Sequence, residues 1–224
     1  MNEKTAKELL TKVIEDYNLI IEDFDRTRKT DWQEFHTFLE HINDNQSVID
    51  LGCGNGRFYS FLKKYRKVQY LGMDNNKNLL EKAKTQFGET FIEGDMLDIP
   101  VEKDKYDVVV SIASLHHIPS KKLQQKAIRE ILRILKKNGI AIITVWNLFQ
   151  TKYKKYIWQA RLRHLLSLGN YSYRDTFIPW GNSEVKRYYY AFNPQELENL
   201  LLENDFKIIA QQKGKNLVYI CQKY

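Results

Sequence analysis

Two kinds of residue that bind small molecules recur in the first half of the chain: glycines in a turn, and acids after apolar runs. The glycines occupy alternate positions in 52–56, directly after the apolar run 47–51. Glycine lets a backbone turn sharply and approach a ligand closely. Asp74 ends the next apolar run, 68–73, where a carboxylate can accept both hydroxyls of a ribose. This order of strand, glycine turn, helix, strand and acid is typical of a nucleotide-binding unit.

The spacing of the glycines argues against a dinucleotide ligand. A dinucleotide site has its third glycine where this chain has Arg57, so that a pyrophosphate can rest on the helix end. The pattern instead suits a ligand with a ribose and no phosphate, such as S-adenosylmethionine. Asp95 lies at the end of a third apolar run, 91–96, where it can accept from an adenine amino group. No metal site is expected.

Apolar runs and helical periodicity alternate along the chain, which predicts a doubly wound α/β fold. The predicted strands are 47–51, 68–73, 91–96, 106–112 and 140–146, followed by a hairpin of 206–210 and 217–221. The predicted helices are 4–18, 31–41, 57–65, 126–137 and 194–203. Asn138-Gly139 reads as the C-cap of the fourth of these helices. The segment 23–28 is expected to pass over the mouth of the ligand site.

Composition is typical of a soluble enzyme with one substantial core. The chain has 224 residues and a net charge of +7. It has no apolar run near the roughly 20 residues of a membrane span, and residues 1–18 lack the apolar core of a signal peptide. Cys53 and Cys221 are both expected to be reduced, which favours a cytoplasmic location.

The positive charge is concentrated in one segment, 147–190, which follows the fifth predicted strand. It contains eight lysines and arginines against two acidic residues, together with eleven of the 29 aromatic residues. Cations hold phosphates and flat rings stack on unpaired bases, so this composition suits a nucleic acid. The alternative is a helical cap whose rings form a small core and whose lysines are solvated, and the two interpretations are compatible.

The pieces between residues 45 and 146 resemble a class I S-adenosylmethionine-dependent methyltransferase. The resemblance implies a Rossmann-like seven-stranded α/β sheet with helices on both faces, an antiparallel last strand and, in this chain, a basic aromatic-rich insert. One domain is expected, divided into an N-terminal helical cap, a cofactor-binding core, a substrate-binding insert and a C-terminal helix with hairpin (1–44, 45–146, 147–192 and 193–224). The expected cofactor-binding residues are Arg28, Asp50, Gly52, Gly54, Asn55, Gly56, Asp74, Asn75, Asp95, Met96 and Ser111.

Three local patterns narrow the resemblance to the tRNA methyltransferases that esterify 5-carboxymethyluridine at the wobble position. They lie in 24–32, 126–150 and 177–197. The chain departs from that family at Tyr190, where a histidine is usual, and at Asn138-Gly139, where Pro-Gly is usual. The resemblance implies tRNA as the substrate. Eukaryotic members act with a small zinc-binding protein, but no residue of this chain identifies such a partner.

Such an enzyme needs few catalytic groups. A carboxylate acceptor is ionised at neutral pH and requires no general base, only alignment and desolvation. The segment after the fourth strand lacks the Asn/Asp-Pro-Pro-Tyr/Phe pattern of base amino-group methylases, and neither cysteine is placed to attack a uracil ring. An oxygen acceptor is therefore favoured.

The candidate catalytic residues follow from the need to hold a carboxylate. A guanidinium fork is the natural clamp, so Arg187 is the first candidate, with Tyr188 donating a hydrogen bond. Arg26 and Arg28 are alternatives, and one of them can instead hold the methionyl carboxylate. His116 can donate to the acceptor, serve as a base for a hydroxyl substrate, or be a structural histidine bonded to a backbone carbonyl; a structural role suits His117 still better.

Two other functions remain open from sequence. A small-molecule O-methyltransferase, acting on a carboxylic acid or a quinone-precursor hydroxyl, is opposed by the charge of 147–190. A catalytically silent cofactor-binding subunit is opposed by the intact glycines and acids of the cofactor site.

Overall fold

A computed structural model describes residues 1–224 and contains eight α-helices and nine strands. The helices are α1 (Glu3–Leu19), α2 (Ile21–Thr27), α3 (Phe35–Phe38), α4 (Arg57–Leu62), α5 (Lys77–Phe87), α6 (Lys121–Ile134), α7 (Lys154–Leu166) and α8 (Pro194–Leu202). The strands are β1 (Ser47–Leu51), β2 (Gln69–Asp74), β3 (Phe91–Glu93), β4 (Tyr106–Ile112), β5 (Leu135–Trp146), β6 (Asp175–Pro179), β7 (Lys186–Tyr190), β8 (Phe206–Lys213) and β9 (Asn216–Lys223).

Seven strands form one sheet in the order β3-β2-β1-β4-β5-β9-β8. The first five are parallel, and β9 lies antiparallel between β5 and β8. The seven-stranded sheet and its antiparallel last strand are therefore confirmed. The strand order reverses between β1 and β4, and open α/β sheets bind ligands at the carboxyl ends of the strands beside such a point.

The sheet is covered by helices on both faces, as expected. Because neighbouring side chains of a strand point to opposite faces, Val109 joins a core of 28 buried residues, whereas Val108 and Val110 join a separate core of 17. Helices α6 and α8 supply the first core, and α3, α4 and α5 supply the second.

The predicted helix 126–137 was wrong in both boundaries, and so was its predicted C-cap. The helix expected at 126–137 begins at Lys121 and ends at Ile134, because Leu135 is fully buried and pairs with Tyr106 as the first residue of β5. Asn138 does adopt the left-handed conformation expected of it (φ 62°). It lies in a register shift of β5, however, and does not cap a helix.

The helix expected at 31–41 and the strand expected at 91–96 are both shorter than predicted. Helix is limited in 31–41 to α3 and one 3-10 turn, Leu39–His41. The third strand ends at Glu93 and leaves Asp95 just beyond the sheet. The segment 23–28, by contrast, falls largely within α2.

The basic segment forms α7 and a two-stranded antiparallel hairpin of β6 and β7. A small core of Leu148, Ile157, Ile178, Tyr189 and Ala191 joins them to the end of β5. The rings of Tyr153, Tyr156 and Tyr189 belong to or pack on this small core, whereas those of Tyr171, Phe177, Tyr188 and Tyr190 belong to or pack on the larger core of the sheet. Phe149, Trp158 and Tyr173 stay exposed. None of the helices combines the length and apolar character that a membrane span requires.

Candidate active site

One deep cavity opens at the carboxyl ends of β1, β2, β3 and β4. One side of it is formed by the glycine turn and by the residues that follow β2 and β3. Residues of α1 and of the segment after β4, together with Trp146 and Arg187, complete the lining. Eleven of the predicted site residues line this cavity: Arg28, Asp50, Gly52, Gly54, Asn55, Asp74, Asn75, Asp95, Met96, His116 and Arg187.

The backbone of the glycine turn has positive φ angles and a close contact with Ser114, and glycine is the residue that accommodates both. Gly52 and Gly54 have φ of 75° and 57°, and the amide of Gly52 donates to the carbonyl of Met73 at 2.7 Å. A Cβ atom on Gly52 would lie 2.2 Å from Oγ of Ser114. The turn therefore leaves a backbone-lined cradle against the cavity.

Asp74 is fixed by backbone amides from both sides. Its Oδ2 accepts from the amide of Gly54 at 2.8 Å, and its Oδ1 accepts from the amide of Asn76 at 2.9 Å. Each carboxylate oxygen can accept a second hydrogen bond, so the pair remains able to accept from two ribose hydroxyls. Burial raises the pKa of Asp74, while these amide bonds oppose that rise.

Asp50, on the other side of the glycine turn, is incompletely satisfied. The hydroxyl of Tyr70 donates to its Oδ2 at 2.9 Å, whereas its buried Oδ1 has no partner. Burial raises the pKa of Asp50 to about 7, and the charge of Asp74 adds to that rise. A bound cation would favour the ionised form. The unpaired Oδ1, the glycine cradle and the ribose acceptor together fit a nucleoside that carries an amino group and a sulfonium.

Arg187 also lines the cavity and is only 3% exposed. Its guanidinium lies 4.5 Å from the ring centroid of Trp180 and 5.1 Å from that of Tyr189. Tyr17 and Trp146 each lie 5.5 Å away. Nη1 donates to the hydroxyl of Tyr17 at 3.2 Å, buried Nε has no partner, and no carboxylate forms an ion pair with this arginine. A buried cation without an anion is costly unless a ligand supplies one.

Two histidines in the turn after β4, His116 and His117, line the same cavity as Arg187. Nδ1 of His116 accepts from the amide of Trp146 at 3.1 Å, so the neutral ring carries its proton on Nε2. Burial holds the pKa of His116 well below its usual value, with His117 and Arg187 adding to the effect. His116 can therefore donate a hydrogen bond into the cavity but has no free lone pair to act as a base. His117 makes the bond to a backbone carbonyl that is expected of a structural histidine, since its Nδ1 lies 2.8 Å from the carbonyl oxygen of Tyr188.

Helix α2 closes part of the cavity, as expected of 23–28. Nδ2 of Asn55 donates to Oδ1 of Asp25 at 2.9 Å, and Nε1 of Trp180 donates to Asp23. The guanidinium of Arg28 lies 4.8 Å from the ring of Trp180 and 5.4 Å from that of Phe24. The helix thus bridges the glycine turn and the tip of the β6–β7 hairpin.

Four predicted site residues lie outside the cavity lining. Tyr188 is fully buried, and its hydroxyl donates to Oδ1 of Asp175 at 2.8 Å, so it cannot donate to an acceptor beside Arg187. Arg26 is largely exposed and pairs with Asp23. Ser111 is buried within β4. Gly56 (φ 79°) is the N-cap residue of α4 and does not line the cavity.

Among the lining residues missed from sequence are Arg57, Tyr17 and Trp146. Arg57 is half-buried, with its guanidinium 4.5 Å from the ring centroid of Trp32, and desolvation lowers its pKa to about 10. Arg57 could have been identified from sequence, because it occupies the position of the third glycine of a dinucleotide site. No sequence signal distinguishes Tyr17 and Trp146, because an aromatic residue in a helix or at a strand end is ordinarily part of the core.

The first prediction concerns Asp74 and the cofactor implied by the sequence. Asp74→Ala removes the ribose acceptor, so affinity for S-adenosylmethionine should fall by about 1–3 kcal/mol in calorimetry. Tyr188→Phe removes a buried hydroxyl outside the cavity and should leave that affinity unchanged. Unchanged affinity in the Asp74 variant would remove Asp74 from the site.

The second prediction concerns pH. If the ammonium of the cofactor favours ionised Asp50, affinity should weaken as pH falls below about 7, by up to about tenfold per pH unit, because the carboxyl must release its proton on binding. Asp50→Asn should bind more weakly at pH 8 but lose this dependence on Asp50. Titrations from pH 5.5 to 8 test this, and an equal pH dependence in both proteins would contradict it.

Comparison with known proteins agrees with this geometry. Residues 49–143 match a family described as a methyltransferase domain. A protein of Encephalitozoon cuniculi that carries a methyltransferase name is 30% identical over 84% of this chain and 83% of its own length. A solved S-adenosylmethionine-dependent methyltransferase of Methanosarcina mazei has the same fold, with a TM-score of 0.71 at 19% identity over 84% of this chain and 96% of its own.

Two relatives have more specific names. The tRNA (carboxymethyluridine(34)-5-O)-methyltransferase of Schizosaccharomyces pombe is 27% identical over 90% of this chain and 84% of its own length. The Xenopus tropicalis protein of that name is 34% identical over 66% of this chain, which covers only 22% of the relative's length. With the cofactor cradle, the acids beside it and the seven-stranded sheet already described, these matches show that the chain belongs to the class I S-adenosylmethionine-dependent methyltransferases.

Proposed function

We propose that this enzyme methylates the carboxylate of a 5-carboxymethyl group on the wobble uridine of tRNA. The observation that carries the proposal is Arg187, a buried guanidinium with no carboxylate partner in the same cavity as the cofactor cradle. Guanidinium and carboxylate match as paired donors and acceptors. The names of the relatives from S. pombe and X. tropicalis support the same substrate.

The cavity suits a reaction in which two opposite charges disappear. S-adenosylmethionine, when bound, supplies a methyl group on a sulfonium; one acceptor oxygen bonds to that carbon as the C–S bond breaks and its electron pair returns to sulfur. The walls around Arg187 are aromatic rings, and such a low-dielectric site stabilises separated charges less well than water does. Arg187 then has one main task, which is to align the carboxylate.

The histidines agree with an acceptor that needs no base. His116 presents a neutral ring whose proton lies on Nε2, so it can donate to an oxygen of the substrate and cannot take a proton from it. A hydroxyl acceptor would need such a proton acceptor at this place. The arrangement therefore favours a carboxylate.

The basic segment supplies a surface for the rest of the RNA. Of its eight cations only Arg174 forms an ion pair, with Glu196 at 3.4 Å. Lys152, Lys154 and Lys155 are exposed in the turn before α7 and at its start, and the ammonium groups of Lys152 and Lys155 lie over the rings of Tyr153 and Tyr156 at 4.7 and 4.9 Å. Exposed cations interleaved with aromatic rings favour an unpaired strand. A tRNA substrate also agrees with the expected cytoplasmic location. The resemblance implies a small protein partner, which no residue of this chain identifies.

The third prediction concerns the product. Incubation with tRNA bearing 5-carboxymethyluridine should give a methyl ester that mild alkali hydrolyses with release of methanol. Arg187→Lys keeps the charge but loses the fork, so kcat/KM should fall about 10- to 100-fold. His116→Ala should cost less than Arg187→Ala. With saturating cofactor, rates should vary little between about pH 6 and 8, because no base is needed.

Alkali-stable label on the RNA would contradict an ester and would indicate methylation at an ether oxygen, a ring carbon or an amine. A defect in His116→Ala far larger than that in Arg187→Ala would instead indicate a hydroxyl acceptor.

The fourth prediction concerns RNA binding. Replacing Lys152, Lys154 and Lys155 by glutamate should weaken tRNA binding and flatten its salt dependence, since phosphate contacts are lost, while cofactor affinity stays the same. The control is the same reversal at Lys103, Lys105 and Lys137, exposed residues near the amino ends of β4 and β5, at the other end of the strands from the cavity. Equal losses in both triple variants would show a general charge effect. If the wild type binds no tRNA even at low salt, and none with co-purified protein, a small-molecule substrate is favoured.

A further inference from the structure

We infer that His117, through Tyr17, is a positioning residue that fixes the orientation of the Arg187 guanidinium. The inference rests on the proposed role of Arg187 in holding the acceptor. His117 lies in the 3-10 turn Leu115–His117, Tyr17 lies near the end of α1, and Arg187 lies in β7. Hydrogen bonds of 3.0 Å from Tyr17 to Nε2 of His117 and of 3.2 Å from Arg187 to Tyr17 connect the three.

The direction of every bond in this relay is determined by its two ends. The carbonyl of Tyr188 can only accept, so Nδ1 of His117 carries the proton and Nε2 presents a lone pair. At the other end the guanidinium can only donate. The hydroxyl of Tyr17 therefore donates to His117 and accepts from Nη1 of Arg187. Burial lowers the pKa of His117 to about 3, so this neutral tautomer persists at physiological pH.

Arg187 needs such a contact because its other neighbours do not define its rotation. The other three rings around it, those of Trp146, Trp180 and Tyr189, contact the guanidinium without directional hydrogen bonds, and its buried Nε has no partner. The bond to Tyr17 is its one hydrogen bond to a protein acceptor. The relay returns to β7 at Tyr188, one residue from Arg187, and so closes a loop that joins α1, the 3-10 turn and β7.

The first measurement is independent of the substrate. In long-range ¹H–¹⁵N spectra of the full chain, His117 should be a neutral Nδ1–H tautomer and His116 a neutral Nε2–H tautomer between pH 5 and 8. Tyr17→Phe should shift the Nε2 resonance of His117 and leave His116 unchanged. An Nε2–H tautomer at His117, or no shift in the variant, would overturn the relay.

The second measurement uses steady-state kinetics with tRNA bearing 5-carboxymethyluridine. Tyr17→Phe and His117→Asn should each raise KM for tRNA about tenfold with little change in kcat, because a hydrogen bond to a charged group is lost before chemistry. His117→Gln places an amide oxygen near the former Nε2 and should recover most of the loss. The control Tyr65→Phe alters an exposed tyrosine outside the cavity and should have no effect.

A double-mutant cycle separates positioning from general damage. The Tyr17→Phe/His117→Asn pair should be no worse than either single variant, and Tyr17→Phe should cost less than twofold in an Arg187→Lys background. Additive losses, or wild-type KM in Tyr17→Phe, would overturn the inference. If His117→Asn does not fold, the KM values of Tyr17→Phe, alone and combined with Arg187→Lys, decide whether the inference holds. If wild type does not methylate the tRNA, the proposed function fails and the spectra decide on the relay.

Discussion

The site depends on one buried positive charge that the protein leaves without an anion. Removing a guanidinium from water is costly, and the usual remedy is a carboxylate partner. Here Arg187 receives only aromatic faces and the hydroxyl of Tyr17. Two parts of the second half of the chain form these surroundings. The β6–β7 hairpin supplies Arg187 and the ring of Trp180, and the end of β5 supplies Trp146. A carboxylate ligand would complete the site.

The lining of the cavity contains charges of both signs. Asp50, Asp74 and Asp95 line it near the glycine turn, the proposed place of the cationic cofactor, and Arg187 lines the same cavity. The proposed reaction between an acceptor carboxylate and a sulfonium cancels one charge of each sign, so a cavity that excludes water favours it and a general base is unnecessary. Burial keeps His116 and His117 neutral at physiological pH, so neither adds a charge to the cavity.

Sequence could predict the cofactor side because its signals are local: apolar runs, turn glycines, and acids at strand ends. The acceptor side depends on long-range pairing. Once 186–190 is known to be a strand, alternation places Arg187 and Tyr189 on one face and Tyr188 on the other, but three successive tyrosines give no such alternation in sequence. Likewise α6 ends where Leu135 pairs with Tyr106, a contact that helical periodicity through Lys137 could not reveal.

The most direct test of an unpaired arginine that binds an acceptor carboxylate is to change the acceptor and leave the protein intact. Purified enzyme with S-adenosylmethionine should be given tRNA carrying 5-carboxymethyluridine or its amide counterpart, 5-carbamoylmethyluridine, and the nucleosides analysed by mass spectrometry. The carboxylate tRNA should gain one methyl group and the amide tRNA none. Equal methylation of both, or methylation of the amide alone, would contradict the assignment of Arg187.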